Sequence, residues 1–126
     1  MDNYISHFKN LPFESRIKKA KEFLLKYKNK VPVIINYNFK EFKEKEINDD
    51  KKDRYKFLLA EEMTLGEFVS LFRKKYNLDA SESIVSFIKD TIPNMDKTMK
   101  DLYTHYKDDD YFLYIDMKRE NTFGFN

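Results

Sequence analysis

Tyr111-Phe-Leu-Tyr-Ile115 is a run of five apolar or aromatic residues placed directly after three aspartates, Asp108 to Asp110. A short, unbroken, β-favouring run predicts a strand covered on both faces, and so one near the middle of a sheet. The chain must therefore build a sheet with an interior place for its last strand. Beyond Met117 the residues are polar and follow neither helical nor strand period, which predicts a tail leaving the body. That tail carries Gly124, one of two glycines in the chain. The three aspartates lack the glycine and spaced ligands of a calcium loop and read as a solvated turn.

The remaining elements follow from period and punctuation. Asn3 to Lys9 predicts a short helix with Tyr4, Ile5 and Phe8 on one side. Phe13, Ile17, Ala20, Leu24 and Tyr27 share a helical stripe with Phe23 at its edge, after Pro12 at the helix start. Val31-Pro-Val-Ile-Ile-Asn-Tyr37 is a β-branched strand in which Pro32 cannot donate to a ladder, so it belongs at an open edge or the strand start. Asn38 to Asp53 is a long charged connection with isolated Phe39, Phe42 and Ile47, and Tyr55 to Ala60 a second strand, antiparallel to the first. Thr64-Leu-Gly-Glu67 is a capping box opening a helix to about Tyr76, with Leu65, Phe68, Val69, Phe72 and Tyr76 inward. Arg73, Lys74 and Lys75 suit the negative end of its dipole. Ile84 to Ile88 is a third strand, Asp90 to Pro93 a turn, and Met99, Leu102, Tyr103 and Tyr106 mark a last helix. With the final strand beside the first, this is an α+β, β-grasp arrangement: a four-stranded mixed sheet with two extra N-terminal helices. The expected division is a helical pair over 1–28, a core over 29–117 in the same structural domain, and a flexible tail over 118–126.

The absence of cysteine excludes a disulfide framework, a thiolate metal site and a thiol nucleophile, and it suits the cytosol. No apolar run approaches a membrane span, and Met1-Asp-Asn-Tyr has neither a signal-peptide core nor a myristoylation glycine. Residues 1–30 carry eight Lys/Arg against Asp2, Glu14 and Glu22, a local excess of 8 − 3 = +5 within a chain of net charge +2. Such a segment can steer toward acidic partners, or serve only as a solvated helix face. His7 and His105 lie far apart without catalytic partners, and there is no serine elbow, phosphate-cradling loop or metal-spaced His pair. The chain is therefore not expected to be an enzyme. Nucleic-acid binding is not expected either, since no positive stripe with interleaved exposed aromatics stands out.

Taken in order, Lys26-Tyr27, Val31-Pro32-Val33-Ile34, Thr64-Leu-Gly-Glu-Phe68, Arg73-Lys74, Thr91-Ile-Pro93, Phe112-Leu-Tyr-Ile115 and Phe123-Gly124 resemble the autophagy ubiquitin-like modifiers of the GABARAP and light-chain-three kind. The resemblance runs from about Pro12 to Gly124, with spacing that departs only in the 38–53 connection. It implies a ubiquitin-like fold and a life cycle in which a cysteine protease removes a C-terminal mask, here Phe125-Asn126 after Phe123-Gly124. Activating and conjugating enzymes would then transfer Gly124 to phosphatidylethanolamine. No other cofactor is implied. Without a Cβ, glycine threads a narrow channel and leaves its carbonyl open to attack.

The resemblance also implies that cargo receptors and adaptors with aromatic-x-x-aliphatic motifs bind as a strand added to the second strand's edge. The aromatic pocket would comprise Lys19, Phe23, Pro32, Ile34, Lys56, Leu58 and Phe112. The aliphatic pocket would comprise Phe57, Leu59, Ala60, Met63, Phe68, Leu71 and Lys75, with Lys30 and Arg54 facing acidic flanks. Pro32 and nearby basic residues are expected to keep that edge from self-pairing. Lys19 stands where relatives often carry an acid, which predicts a preference for Asp or Glu beside the peptide's aromatic. A rival of another class is a peptide-binding adaptor for trafficking or cytoskeleton that is never lipidated. The expected location is cytoplasmic, and autophagosomal after lipidation. A monomer is the simplest state to expect.

Overall fold

The computed structural model describes residues 4–37, 55–78 and 83–119. In chain order these form α1 (Tyr4–Lys9), α2 (Phe13–Lys26), β1 (Lys30–Tyr37), β2 (Lys56–Ala60), α3 (Leu65–Lys75), β3 (Ile84–Phe87), α4 (Met99–Tyr106) and β4 (Leu113–Arg119). The four strands make one sheet in the order β2-β1-β4-β3. The pairs β1–β2 and β3–β4 are antiparallel, and β1–β4 is parallel. The final apolar run is thus interior, as its composition requires.

Strand alternation sorts the sheet into two covered faces. Val33, Ile35 and Tyr37 align with Leu113, Ile115 and Met117 in the parallel register. They face α3, where Tyr37 meets Phe72 edge-on at 5.0 Å and Phe57 meets Phe68 at 5.3 Å. The opposite face carries Ile34, Lys56 and Tyr114 under the N-terminal helices, with Phe8 6.3 Å from Tyr114 and the Lys56 ammonium 5.8 Å from the Phe8 ring. Pro32 lies in β1, paired with Leu58, and not on the sheet edge. The Ile35 N–H reaches the Tyr55 carbonyl at 2.8 Å, so alternation turns Pro32 toward β4, one residue before β4 pairing begins at Val33. Its missing donor therefore falls at the strand start, one of the two expected places, and the exposed sheet border belongs to β2.

Helix ends follow their caps. The Thr64 hydroxyl accepts the Glu67 N–H at 3.1 Å, and the Glu67 carboxylate accepts the Thr64 N–H at 2.9 Å. Asn77 closes α3 at φ 55, with the Leu78 N–H bonded to the Arg73 carbonyl at 2.9 Å. A second capping box, Thr98 with Asp101, opens α4. The α3 and α4 starts are joined by hydrogen bonds from the Leu65 N–H to the Lys97 carbonyl and from the Met99 N–H to the Met63 carbonyl. Gly66 permits this approach, since a Cβ there would lie 3.2 Å from the Met95 carbonyl oxygen.

Four local expectations change. Strand β4 begins at Leu113 and continues through Arg119, because Lys118 and Arg119 pair with Val85 and Ile84; the tail therefore cannot begin at 118. The tight turn after β3 centres on Lys89 and Asp90, both with positive φ, between the mutually bonded Ile88 and Thr91. Phe13, assigned to the buried stripe of α2, is nearly half exposed and lies under the Arg16 guanidinium at 5.4 Å. Asp110 is not solvated but completely buried. The 38–53 connection and residues 120–126 lie outside the described residues.

Candidate functional site

The border strand β2 has β1 as its sheet neighbour, and beside it lies a pocket of about 270 Å³. Its lining holds all seven residues assigned to an aromatic pocket: Lys19 and Phe23 from α2, Pro32 and Ile34 from β1, Lys56 and Leu58 from β2, and Phe112 at the base. Three others complete it, Phe8, Val33 and Phe57. None of the three is placed there by the sequence: Phe57 is assigned to the aliphatic pocket, and Val33 and Phe8 to neither, Phe8 coming from a separate helix. The Phe8 ring meets Phe112 edge-on at 5.0 Å, which brings α1 under the pocket, a fold-back that α1's own period does not disclose. Two ammonium groups, Lys19 and Lys56, stand with an otherwise apolar lining, an arrangement able to accept an aromatic ring with an acidic neighbour.

On the other side of β2, facing α3, are Phe57 and Leu59 of the residues assigned to an aliphatic pocket, with Phe68, Leu71 and Lys75 on α3 itself, whereas Ala60 alternates with Lys56 and Leu58 toward the opposite face. Phe57 lies across Phe68, and the Lys75 ammonium sits 5.2 Å from the Phe57 ring. Leu71 is exposed, and Ala60 and Met63 are half-buried. Phe68 is wholly buried and Leu59 nearly so, which makes them the support of this surface and not its contact atoms. Lys30 is exposed opposite Ala60 at the start of β1. Arg54, Phe123, Gly124 and Phe125 lie outside the described residues.

A buried polar cluster lies behind the aromatic pocket. The Asp110 Oδ2 accepts Arg16 Nη1–H at 2.6 Å and the Tyr114 hydroxyl, while Oδ1 accepts the Phe112 N–H at 2.9 Å. Burial and donation to Asp110 raise the Tyr114 hydroxyl's pKa, keeping its proton in place. Burial opposes the Arg16 charge, but hydrogen bonds to Tyr114 and Asp110 outweigh it and raise the guanidinium's pKa. Nearby, burial would raise the Asp108 pKa, but Lys9 at 3.0 Å and the Asp109 N–H lower it overall. The pKa of Asp116 is raised by burial despite a 3.1 Å hydrogen bond from the Asn36 side-chain amide, whose Oδ1 accepts the Tyr4 N–H at 2.8 Å.

The two histidines are apart. His7 is 5.7 Å from the Tyr4 ring, and His105 Nδ1 contacts the Asp101 carbonyl at 2.8 Å. Among the described residues, no group of three or more His, Cys, Asp or Glu could hold a metal ion, and no helix is long and apolar enough to cross a membrane.

Comparison with known proteins agrees with this layout. The family model described as "Autophagy protein Atg8 ubiquitin like" matches residues 15–124. Autophagy-related protein 8 of Kluyveromyces marxianus is 38% identical over 120 residues, covering 94% of this chain and 92% of that protein. Autophagy-related protein 8a of Arabidopsis thaliana is 35% identical over 113 residues, covering 90% and 88%. The crystal structure of Trypanosoma brucei ATG8 superposes with a TM-score of 0.71 at 32% identity, covering 86% of this chain and 89% of that one. Proteins of this kind are ubiquitin-like modifiers and not themselves enzymes. The chain belongs to the Atg8 family of autophagy ubiquitin-like proteins.

Proposed function

We propose that this protein is conjugated through Gly124 to phosphatidylethanolamine on autophagic membranes and there recruits cargo receptors and adaptors by adding their aromatic-x-x-aliphatic peptides to β2. The observation that carries the peptide reading is the pocket beside the border strand, where six residues from α2, β1 and β2 converge with Phe112 on a space of about 270 Å³, room enough for an aromatic side chain. An added strand would gain main-chain hydrogen bonds from β2, with the aromatic side chain entering beside Lys19 and Lys56 and the aliphatic one resting between Phe57 and Leu71. The conjugation reading is supported by family membership and by a family match that reaches residue 124. After removal of Phe125-Asn126 and transfer by the activating and conjugating enzymes, two acyl chains suffice for stable anchoring where one binds only marginally.

The test is an intact-mass and membrane-flotation comparison of wild type with Gly124→Ala in starved cells. Wild type should lose Phe125-Asn126, gain the mass of a phospholipid and float with membranes, while the variant stays soluble. A wild-type chain that keeps its last two residues and never floats would refute conjugation and leave the non-lipidated adaptor standing.

A further inference from the structure

The aromatic pocket has walls on two layers, and one buried carboxylate reaches both. Phe112 forms its base, and the Phe112 N–H donates to Asp110. Lys19 and Phe23 form its α2 side. They lie three and seven residues after Arg16, on one helix face, and Arg16 is the ion-pair partner of Asp110. Arg16 Nε also donates to the Leu11 carbonyl at 3.1 Å, fixing the turn between α1 and α2 to the same guanidinium.

Apolar packing of α2 rests on few side chains: Ala20 is its one fully buried residue, and Phe23 packs partly buried against the core. A small side chain brings the helix close to the sheet but resists sliding poorly. A buried ion pair adds little net stability over apolar replacements, yet it is directional, and a carboxylate that accepts three donors fixes all three. Lys9 with Asp108 straps α1 to the same loop, but that pair is partly exposed and touches neither pocket wall. We infer that Asp110 is a positioning residue for the aromatic pocket: through Arg16 and the Phe112 amide it sets the separation of α2 from the start of β4, and with it the aperture that a peptide's aromatic side chain meets. The inference rests on the peptide-binding reading above.

Asp110→Asn keeps the side chain's shape and its acceptor for the Phe112 N–H but removes the charge that holds Arg16. Arg16→Lys keeps the charge but loses the fork. Calorimetric titration with an aromatic-x-x-aliphatic peptide, its aromatic→Ala form and its aliphatic→Ala form should be paired with amide NMR of the free proteins. Asp110→Asn should weaken the parent peptide about tenfold. The weakening should persist for the peptide lacking its aliphatic residue and vanish for the one lacking its aromatic. In the free variant the Lys19 and Phe23 amides should shift while Phe68 to Lys75 stay in place. Equal weakening of both truncated peptides, or unmoved Lys19 and Phe23 amides, overturns the inference. If wild type binds none of the peptides, the peptide-binding reading falls, and the amide shifts still decide the positioning role in either direction. If Asp110→Asn fails to fold, Arg16→Lys supplies the same two readouts, with a smaller loss expected.

Discussion

The ring of Tyr4 lies flat on that of Tyr55, with centroids 4.5 Å apart and planes 9° from parallel. Tyr55 also stacks on Tyr37 at 4.9 Å, and Tyr37 meets Phe72 of α3, so the stack links α1 around the β2 border to the far layer of the core. Tyr4→Ala should cost about 3 kcal/mol, the usual range for deleting a buried aromatic. Urea denaturation should show a lower midpoint with an unchanged slope.

Lys89 and Asp90 occupy a two-residue hairpin turn at φ 49 and 64, a conformation that favours Asn-Gly. Both are exposed. Lys89→Asn with Asp90→Gly should stabilise the protein by about 1 kcal/mol, because neither new residue resists the left-handed backbone. Thermal melting of the double variant checks this.

The Ser86 hydroxyl is buried without a hydrogen-bond partner among the described residues. Ser86→Ala removes an oxygen desolvated for no return and should raise stability by about 1 kcal/mol. A lower melting temperature would show that the hydroxyl has a partner in solution.

Lys19 is exposed at the pocket mouth, and a carboxylate beside the peptide's aromatic would meet it and Lys56. Lys19→Glu should weaken peptides with such an acid roughly threefold at low salt and leave neutral peptides unchanged, with the difference fading as salt rises. A peptide array in which added acid brings no gain for wild type would contradict this.

The Tyr103 hydroxyl donates to the Tyr111 carbonyl at 2.7 Å, and burial, then the neighbouring Tyr111 and Asp110, push its pKa up to about 12. A pKa raised on folding means the neutral form is favoured. Its contribution is complete below about pH 10, the ordinary tyrosine value, and is lost as pH rises toward 12. Chemical denaturation across pH 9 to 12 should show a decline that is shallower in Tyr103→Phe.

Local signals carried most of the element order. Thr64 and Glu67 announced α3, whereas Thr98 and Asp101 form the same device with a shorter acid and passed unread. Pro32, Ile34, Leu58 and Phe112 read as plain core from alternation, because a pocket wall and a packed interior share one apolar pattern. Only the family resemblance singled them out, and the fold then gathered them. Phe8 escaped because no local pattern says where α1 folds back. Asp110 defies its local pattern because three adjacent aspartates look solvated, while its ion-pair partner is 94 residues away. Such pairings are invisible to any window along the chain. The readings at Arg54, Phe123, Gly124 and Phe125 fall outside the described residues.

Strand β4, the last of the four described strands in chain order, occupies an inner slot of the sheet, flanked on both sides by strands that precede it. Until residues 113–119 emerge, the β4-side border of β1 stays open and β3 has no neighbour in the sheet, so a nascent or prematurely stopped chain presents open strand borders to aggregation and quality control. Translation past residue 119 is thereby a condition for a closed sheet, however early the other three strands are made.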